Sequence, residues 1–308
     1  MRIFRLFVAS LVLAASASAP STAEETSDSS KIAVMEGVLK SIQPDQGTIT
    51  LRLQPPFNDK TLAVVDRTAP AKLTEAKPGD IIKSSVDDAT KPGSLTKLQE
   101  MRRPVDGMPR ILALIGSLAL ILALAMMMIG GSPRAFIIGV DNRYSNSQTQ
   151  LALWFTTVAS VYAATVVLRL IYLGNGYIGG VGITTNLLAL TGLSALSFGG
   201  AKVITAQKVE NATKPNEPVP KSTAARPNLL TDLVQNDLQQ ADLGDFEMIL
   251  ITLAAVSIFT VSAYYFLGEL KLEATVTLPD VDTTLLASFG IGHGAYLAKK
   301  AALKPGEG

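Results

Sequence analysis

The chain has no cysteine, a single histidine, a single tryptophan and few charges for its length. The missing thiols exclude disulfides, thiolate zinc sites, iron–sulfur clusters and a cysteine nucleophile together. One imidazole leaves no histidine cluster to hold a metal and removes most imidazole-based catalysis. Charged residues fill 17% of 308 positions, where a soluble domain carries about 25%. The 27 basic and 26 acidic residues cancel to a net +1, which is too balanced to imply nucleic acid as a partner. No nucleophile–base pair and no phosphate-binding loop is visible. The expectation is a non-enzymatic protein with no catalytic, cofactor-binding or metal-binding residue.

What the chain does have is apolar length. Mean hydropathy is +0.31 and 48% of residues are hydrophobic, gathered in blocks long enough to cross a bilayer. Residues 1–23 read as a secretory signal. Arg2 and Arg5 give a positive start, Leu6 to Ala15 an apolar stretch, and Ser21-Thr22-Ala23 small residues for cleavage. The segment that follows is therefore expected to be exported.

Residues 31–103 carry β patterning. Thr48-Ile49-Thr50-Leu51-Arg52-Leu53 alternates strictly and Pro44-Asp45-Gln46-Gly47 has turn chemistry. Strands are also expected at Ile32–Ser41, Leu62–Val65, Ile81–Val86 and Leu95–Met101, with a short helical link over Ala69–Ala76. Three strands, a helix and two strands is the order of a small all-β OB-like barrel. Gly37-Val38-Leu39-Lys40-Ser41-Ile42, Gly47 to Leu51, and Leu73 with Lys77-Pro78-Gly79-Asp80 resemble the periplasmic copper-chaperone OB domain of metal-efflux systems. That resemblance implies the fold and a periplasmic location. The family's copper ligands are a histidine, methionines and a tryptophan. This segment has no histidine or tryptophan and keeps only Met35 and Met101 on outer strands, so no metal is expected here.

Five membrane-spanning helices are expected after the barrel. Residues 111–131 form the first, 149–204 the second and third, and 246–300 the fourth and fifth, the last short and weak from Thr283 to Leu297. Ser147 and Gln150 read as a capping box for the second, and Asp245 as the N-cap of the fourth. Basic residues collect between spans one and two (Arg134, Arg143), after span three (Lys202, Lys208, Lys214, Lys221, Arg226) and in the tail (Lys299, Lys300, Lys304). Those segments are expected on the cytoplasmic side. The chain then sits in a bacterial inner membrane with its N-terminal domain periplasmic and its C-terminus cytoplasmic. Tyr172, Tyr177, Tyr264 and Tyr265 fall at the outer boundary, and Trp154 near the inner one. The loop 205–245 carries an amphipathic helix from Asn228 to Leu238, with Leu229, Leu230, Leu233, Val234 and Leu238 at helical spacing.

Thr185-Asn186-Leu187-Leu188-Ala189 realigns with Thr283-Thr284-Leu285-Leu286-Ala287 at a shift of 98 residues, either an internal duplication or a chance similarity between apolar helices. Residues 139–300, with Ser147-x-x-Gln150-x-x-x-Trp154 and Asp242-Leu243-Gly244-Asp245-Phe246-Glu247, faintly resemble uncharacterised bacterial multi-span membrane proteins.

Two sets of residues stand out. Gly290, Gly294 and Ala298, with Ala195 and Gly199, make smooth faces for helix packing within or between subunits. Arg169, Thr191, Ser194 and His293 could line a polar path. Arg169 could equally snorkel to the headgroups, and His293 could serve only as a structural hydrogen-bonding group. The leading expectation is a scaffold or partner-binding membrane component, a homo-oligomer or part of a complex, with the lipid bilayer as surroundings. A pore or transporter subunit with its path near the third span is the alternative.

Overall fold

The computed structural model of the protein describes residues 32–53, 58–88, 92–139, 142–212, 226–235 and 240–302. The signal-like segment 1–23, Lys214, Lys221, Lys304 and the end of the expected amphipathic helix at Asp237 and Leu238 lie outside them. The elements in chain order are β1 (Ile32–Gln43), β2 (Thr48–Leu53), β3 (Asp59–Val64), α1 (Ala69–Leu73), β4 (Ile81–Asp87), β5 (Gly93–Pro104), α2 (Gly107–Ile129), α3 (Asn146–Tyr172), β6 (Val181–Gly182), α4 (Thr185–Ala212), α5 (Leu229–Asp232), α6 (Leu243–Phe266), β7 (Glu269–Lys271), β8 (Val276–Thr277) and α7 (Thr283–Ala302).

The β domain is an antiparallel sheet in the order β3-β2-β1-β4-β5-β7. Its strands follow the period-two pattern, with Ile49 and Leu51 of β2 and Ile82, Ser84 and Val86 of β4 buried while their neighbours turn outward. Leu39, Leu62, Leu73, Leu95, Leu98 and Met101 complete one apolar cluster. Each such side chain contributes about 1.5–3 kcal/mol on burial. One short parallel contact, Leu62–Val64 of β3 against Gly93–Leu95 of β5, joins the two sides of the sheet. The sixth strand comes from the other end of the chain. β7 pairs with β5 through Arg102–Lys271, Arg103–Leu270 and Pro104–Glu269, so the sheet continues into the helical half of the molecule.

Among the described residues, four helices are long and apolar enough to cross a membrane: α2, α3, Thr185–Ile204 of α4, and α6. The expected fifth span forms as helix α7 but does not meet that standard. Thr283, Thr284, Ser288 and His293 interrupt its apolar run before Lys299 and Lys300 end it. The helical half twice places a two-residue strand between two long helices: β6 between α3 and α4, and β8, which follows β7, between α6 and α7. The two strands pair in parallel, Val181 with Val276 and Gly182 with Thr277. At the start of β6, Gly180 adopts φ +74°, and a Cβ there would collide with the Ala274 carbonyl. Only glycine allows this approach.

Trp154, expected near the inner boundary, is fully buried among Val158, Leu187, Leu190, Phe259 and Phe289. An indole N–H in an apolar core needs an acceptor, and Nε1 finds Thr191 Oγ1 at 2.9 Å. α2 packs along α3 and turns Leu112, Ile115, Leu120, Met127 and Met128 outward, a surface suited to lipid. The expected amphipathic helix is only one turn, α5. Asp232 accepts the main-chain N–H groups of Asn228, at the start of the turn, and of Tyr144, and the chain then forms an isolated bridge from Gln235 to Ala241.

Candidate functional site

The sheet and the helices meet through charge as well as through β7. Arg103, on the last turnout of β5, donates Nε and Nη2 to both oxygens of Asp80 at 2.8 and 2.7 Å. Its Nη1 reaches the Tyr172 carbonyl at 2.8 Å, at the last residue of α3, and Nη2 also reaches the Glu75 carbonyl at 3.0 Å. Asp80 is only 2% exposed. A two-pronged pair of this kind is strong and geometrically specific. The Asp80 bonds push the Arg103 guanidinium further up from its ordinary value, so it stays charged. Beside it the Tyr177 hydroxyl donates to the Glu75 carboxylate. Burial, reinforced by that bond, pushes Tyr177 up to about 12, so it remains a donor at neutral pH. Arg110, at the start of α2, donates to the Val105 carbonyl and lies 5.0 Å from the Tyr264 ring centroid.

Arg169 is 1% exposed and points into the loops at the sheet-facing end of the helices. Its guanidinium donates to four carbonyls: Tyr177 at 2.8 Å, Glu273 at 2.7 Å, Ala274 at 3.1 Å and Lys271 at 3.5 Å. The guanidinium thus reaches the polar loops at the helix ends, shielded from solvent. The side chain is a clamp that fastens the loop after α3 to the loop after α6.

The other three candidate path residues are also bonded within the helices. Thr191 accepts from Trp154 and donates to the Leu187 carbonyl at 2.8 Å, and Ser194 donates to the Leu190 carbonyl at 3.1 Å. His293 Nδ1 bonds the Ser197 hydroxyl, and its ring lies 4.2 Å from that of Phe289. This pair joins α7 to α4. The packing candidates are placed differently. The buried face of α7 is Phe289, His293 and Tyr296, whereas Gly294 and Ala298 lie on the outside of the bundle. Among the described residues outside its own turn, nothing stands within 4 Å of where a Cβ of Gly294 or Gly199 would be, and Gly290 meets Leu193 alone. Ala195 is exposed as well.

The helix ends far from the sheet hold a second polar group. The N-cap of α6 is Asp242 rather than the expected Asp245, because its carboxylate accepts the N–H groups of Gly244 and Asp245. Asp242 also pairs with Lys299 near the end of α7. Burial works to raise the Asp242 carboxyl, but the lysine and the N–H bonds outweigh it and hold it below its usual value. On α3 the expected capping box is absent: the N-cap is Ser145, and Ser147 and Gln150 lie inside the helix. The Gln150 amide donates to Asn146 Oδ1 at 3.1 Å, and the Asn146 amide donates to Asp245, to the carbonyl at 3.0 Å and the carboxylate at 3.3 Å.

Among the described residues, no group of three or more histidine, aspartate or glutamate side chains is placed to hold a metal ion. No protein-family model, no curated protein and no solved structure matches the chain. Sequence reasoning passed over Arg103, Glu75 and the Asp245–Asn146 contact. Arg103 had one legible signal: a basic residue just ahead of a spanning run, at the end of a strand. Its partner Asp80 is far away in sequence and sits in a turn that reads as ordinary turn chemistry.

Proposed function

We propose that this is a non-enzymatic integral membrane scaffold that holds an exported OB-like domain in a fixed orientation above a five-helix bundle. The observation that carries it is the continuity of the sheet into the bundle, β5 against β7, with Arg103 locked between Asp80 and the Tyr172 carbonyl. A domain that only hung from a linker would need none of these bonds. The short β3–β5 contact supports the OB-like reading, since it brings the ends of the five-strand order together. The Asp242–Lys299 pair supports a fifth crossing. It puts the end of α7 level with the start of α6, and twenty helical residues cover about 30 Å. The clustering of basic residues at those same ends supports an inner-membrane protein with the sheet in the periplasm and the C-terminus in the cytoplasm. A short strand placed twice between two long helices supports an internal duplication.

The scaffold would present the sheet to a protein partner and assemble with further copies through the outward small-residue faces. Spin labels on the β2–β3 side of the sheet and on the loop before β6, in the full chain in nanodiscs, test the fixed orientation. A single narrow distance distribution is expected. A broad one, or protein-dependent solute flux in proteoliposomes, would replace the scaffold with a hinged or transporting protein.

A further inference from the structure

The helix ends far from the sheet carry a rim of exposed apolar and basic side chains. Leu230 of α5 and Leu243 at the start of α6 are each 79% exposed, and Leu229, Phe136 and Phe246 are exposed as well. One carboxylate gathers these segments. Asp232 Oδ2 accepts the main-chain N–H of Asn228 at 3.0 Å and of Tyr144 at 3.1 Å, so α5 lies against the loop after α2. Tyr144 bridges to Ile138, whose N–H reaches the Arg134 carbonyl at 3.1 Å. The Asp242 N–H donates to the Val234 carbonyl at 2.9 Å, which fastens the start of α6 to the residues after α5.

Helix geometry gives the depth of this rim. A Cβ on Gly107, the first residue of α2, would stand 3.0 Å from the Tyr264 hydroxyl, so α2 and α6 lie side by side there. From that point α2 runs to Ile129 and α6 runs back to Leu243. At about 1.5 Å per residue each path covers about 32 Å, and a hydrocarbon core is about 30 Å thick. Leu243 therefore lies where acyl chains give way to headgroups.

Charge adds the second constraint. Arg134 and Arg226 are exposed and have no ion-pair partner among the described residues. The acids around them are mostly engaged: Asp232 by main-chain N–H groups, Asp242 by Lys299 and Asp245 by Asn146. Glu247 stays exposed, one carboxylate against two guanidinium groups. Apolar side chains at the acyl boundary beside unpaired guanidinium groups are complementary to a lipid with a negative head. A lipid of no net charge would leave the arginines without a counter-charge.

We propose that this rim is a headgroup site for anionic phospholipid. Leu229, Leu230 and Leu243 enter the acyl boundary, and Arg134 and Arg226 donate to the lipid phosphate. The lipid supplies the counter-charge that the rim lacks and pins the loops to the membrane surface. This goes beyond the scaffold reading and does not depend on it, because lipid preference is read without reference to partners or flux.

The test titrates the full chain in detergent with phosphatidylglycerol or phosphatidylcholine of the same acyl chains, and native mass spectrometry counts the bound lipid. A basic side chain at an anionic surface raises affinity about fivefold, so the two arginines together should favour phosphatidylglycerol about thirtyfold. Arg134→Gln and Arg226→Gln should each remove about fivefold of that preference. Leu230→Ser should weaken both lipids. Arg67→Gln, at an exposed position in the loop before α1, is the charge control and should change nothing. In the unaltered chain the preference should shrink as sodium chloride is added, a readout that needs no variant to fold. Equal binding of the two lipids by the unaltered chain overturns the proposal. So does a loss as large for Arg67→Gln as for the rim variants, since net charge would then be the cause. A fluorophore on Leu230→Cys should be quenched by brominated phosphatidylglycerol in nanodiscs. A label that lipid does not quench means that the rim faces water or a protein, and overturns it too.

Discussion

Arg103 and Tyr172 are joined by a 2.8 Å bond from a guanidinium nitrogen to a main-chain carbonyl, at the point where the sheet ends and α3 ends. The same side chain neutralises Asp80 inside the turn that precedes β4. One residue therefore serves the turn and the junction, and weakening it should loosen both.

Arg103→Ala should lower stability by about 3–5 kcal/mol, the usual effect of leaving a buried charge alone. Thermal unfolding in detergent measures this, and trypsin should cut the sheet domain sooner. Replacing Arg103 and Asp80 together by apolar residues of similar size should recover part of the loss. The part not recovered belongs to the Tyr172 and Glu75 carbonyls. A single variant that melts within about 0.5 kcal/mol of the parent, as a plain surface change does, would remove the latch from consideration.

Acid should unfold the sheet through Asp66. Its carboxylate accepts the Leu98 N–H at 2.8 Å, with the Thr68 N–H at 2.8 Å and the Thr68 hydroxyl at 2.7 Å. These bonds, the Leu98 one first, pull it down to about 2 from an ordinary 3.8. A carboxyl lowered in the folded state adds stability that is complete above the unfolded value and is lost as pH falls through the folded one. The loss is therefore expected between about pH 4 and pH 2. Asp66→Asn should be less stable at neutral pH and show a flatter acid limb in that window. An unchanged acid limb would assign the transition to other carboxylates.

Much of this was legible beforehand, and the reason is periodicity. The strict alternation of Thr48 to Leu53 and the apolar block after Arg110 each report a local environment, so β2 and α2 appear within a few residues of their expected bounds. Boundaries set by single bonds were not legible. Asp242 rather than Asp245 caps α6 because a side chain three residues earlier reaches the free N–H groups, and the buried Trp154 finds Thr191 for its N–H. Nothing in hydropathy distinguishes an arginine that snorkels from one that finds four carbonyls. Arg169 needed the loops around Tyr177 and Ala274 to be in place. The β5–β7 pairing joins residues too far apart in sequence for any local pattern to show.

Those four carbonyls make Arg169 sensitive to shape as well as to charge. Arg169→Lys keeps the charge but has no planar fork to reach Tyr177 and Glu273 at once. Arg169→Met keeps the bulk and leaves every carbonyl without this donor, at about 1–3 kcal/mol for each buried group left unmet. Stability should fall in the order Arg, Lys, Met. Proteolysis should begin between Glu269 and Thr277, whose carbonyls are released. Cleavage elsewhere first, with that loop still protected, would mean the clamp is not what holds it.

Topology can be read from single cysteines, since the natural chain has none. Asn58→Cys, just before β3, should react with an impermeant thiol reagent added outside intact cells, and Asn216→Cys should react only after lysis. A cysteine at Lys304 decides the status of α7. Protection like that at 216 is expected if α7 crosses, because Lys299 is paired with Asp242 at the start of α6. Labelling from outside at 304 would leave four crossings and put α7 in the interface.

The last helix also tests assembly. Gly294 and Ala298 are exposed, and among the described residues a Cβ added at Gly294 has no neighbour within 4 Å outside its own turn. Gly294→Leu should therefore leave the melting of an isolated subunit within about 0.5 kcal/mol of the parent. If another copy packs closely on this face, the added carbons overpack the contact at about 1–3 kcal/mol, enough to dissociate a marginal membrane oligomer. Ala287→Leu adds similar bulk at another exposed position of α7 and is the control. The expected outcome is a smaller particle for Gly294→Leu by native mass spectrometry in detergent, with Ala287→Leu unchanged. Because both sites are outward, misfolding does not confuse the reading. Identical masses for the two variants and the parent would mean that this face meets lipid, and that the small residues of α7 do not join copies of the chain.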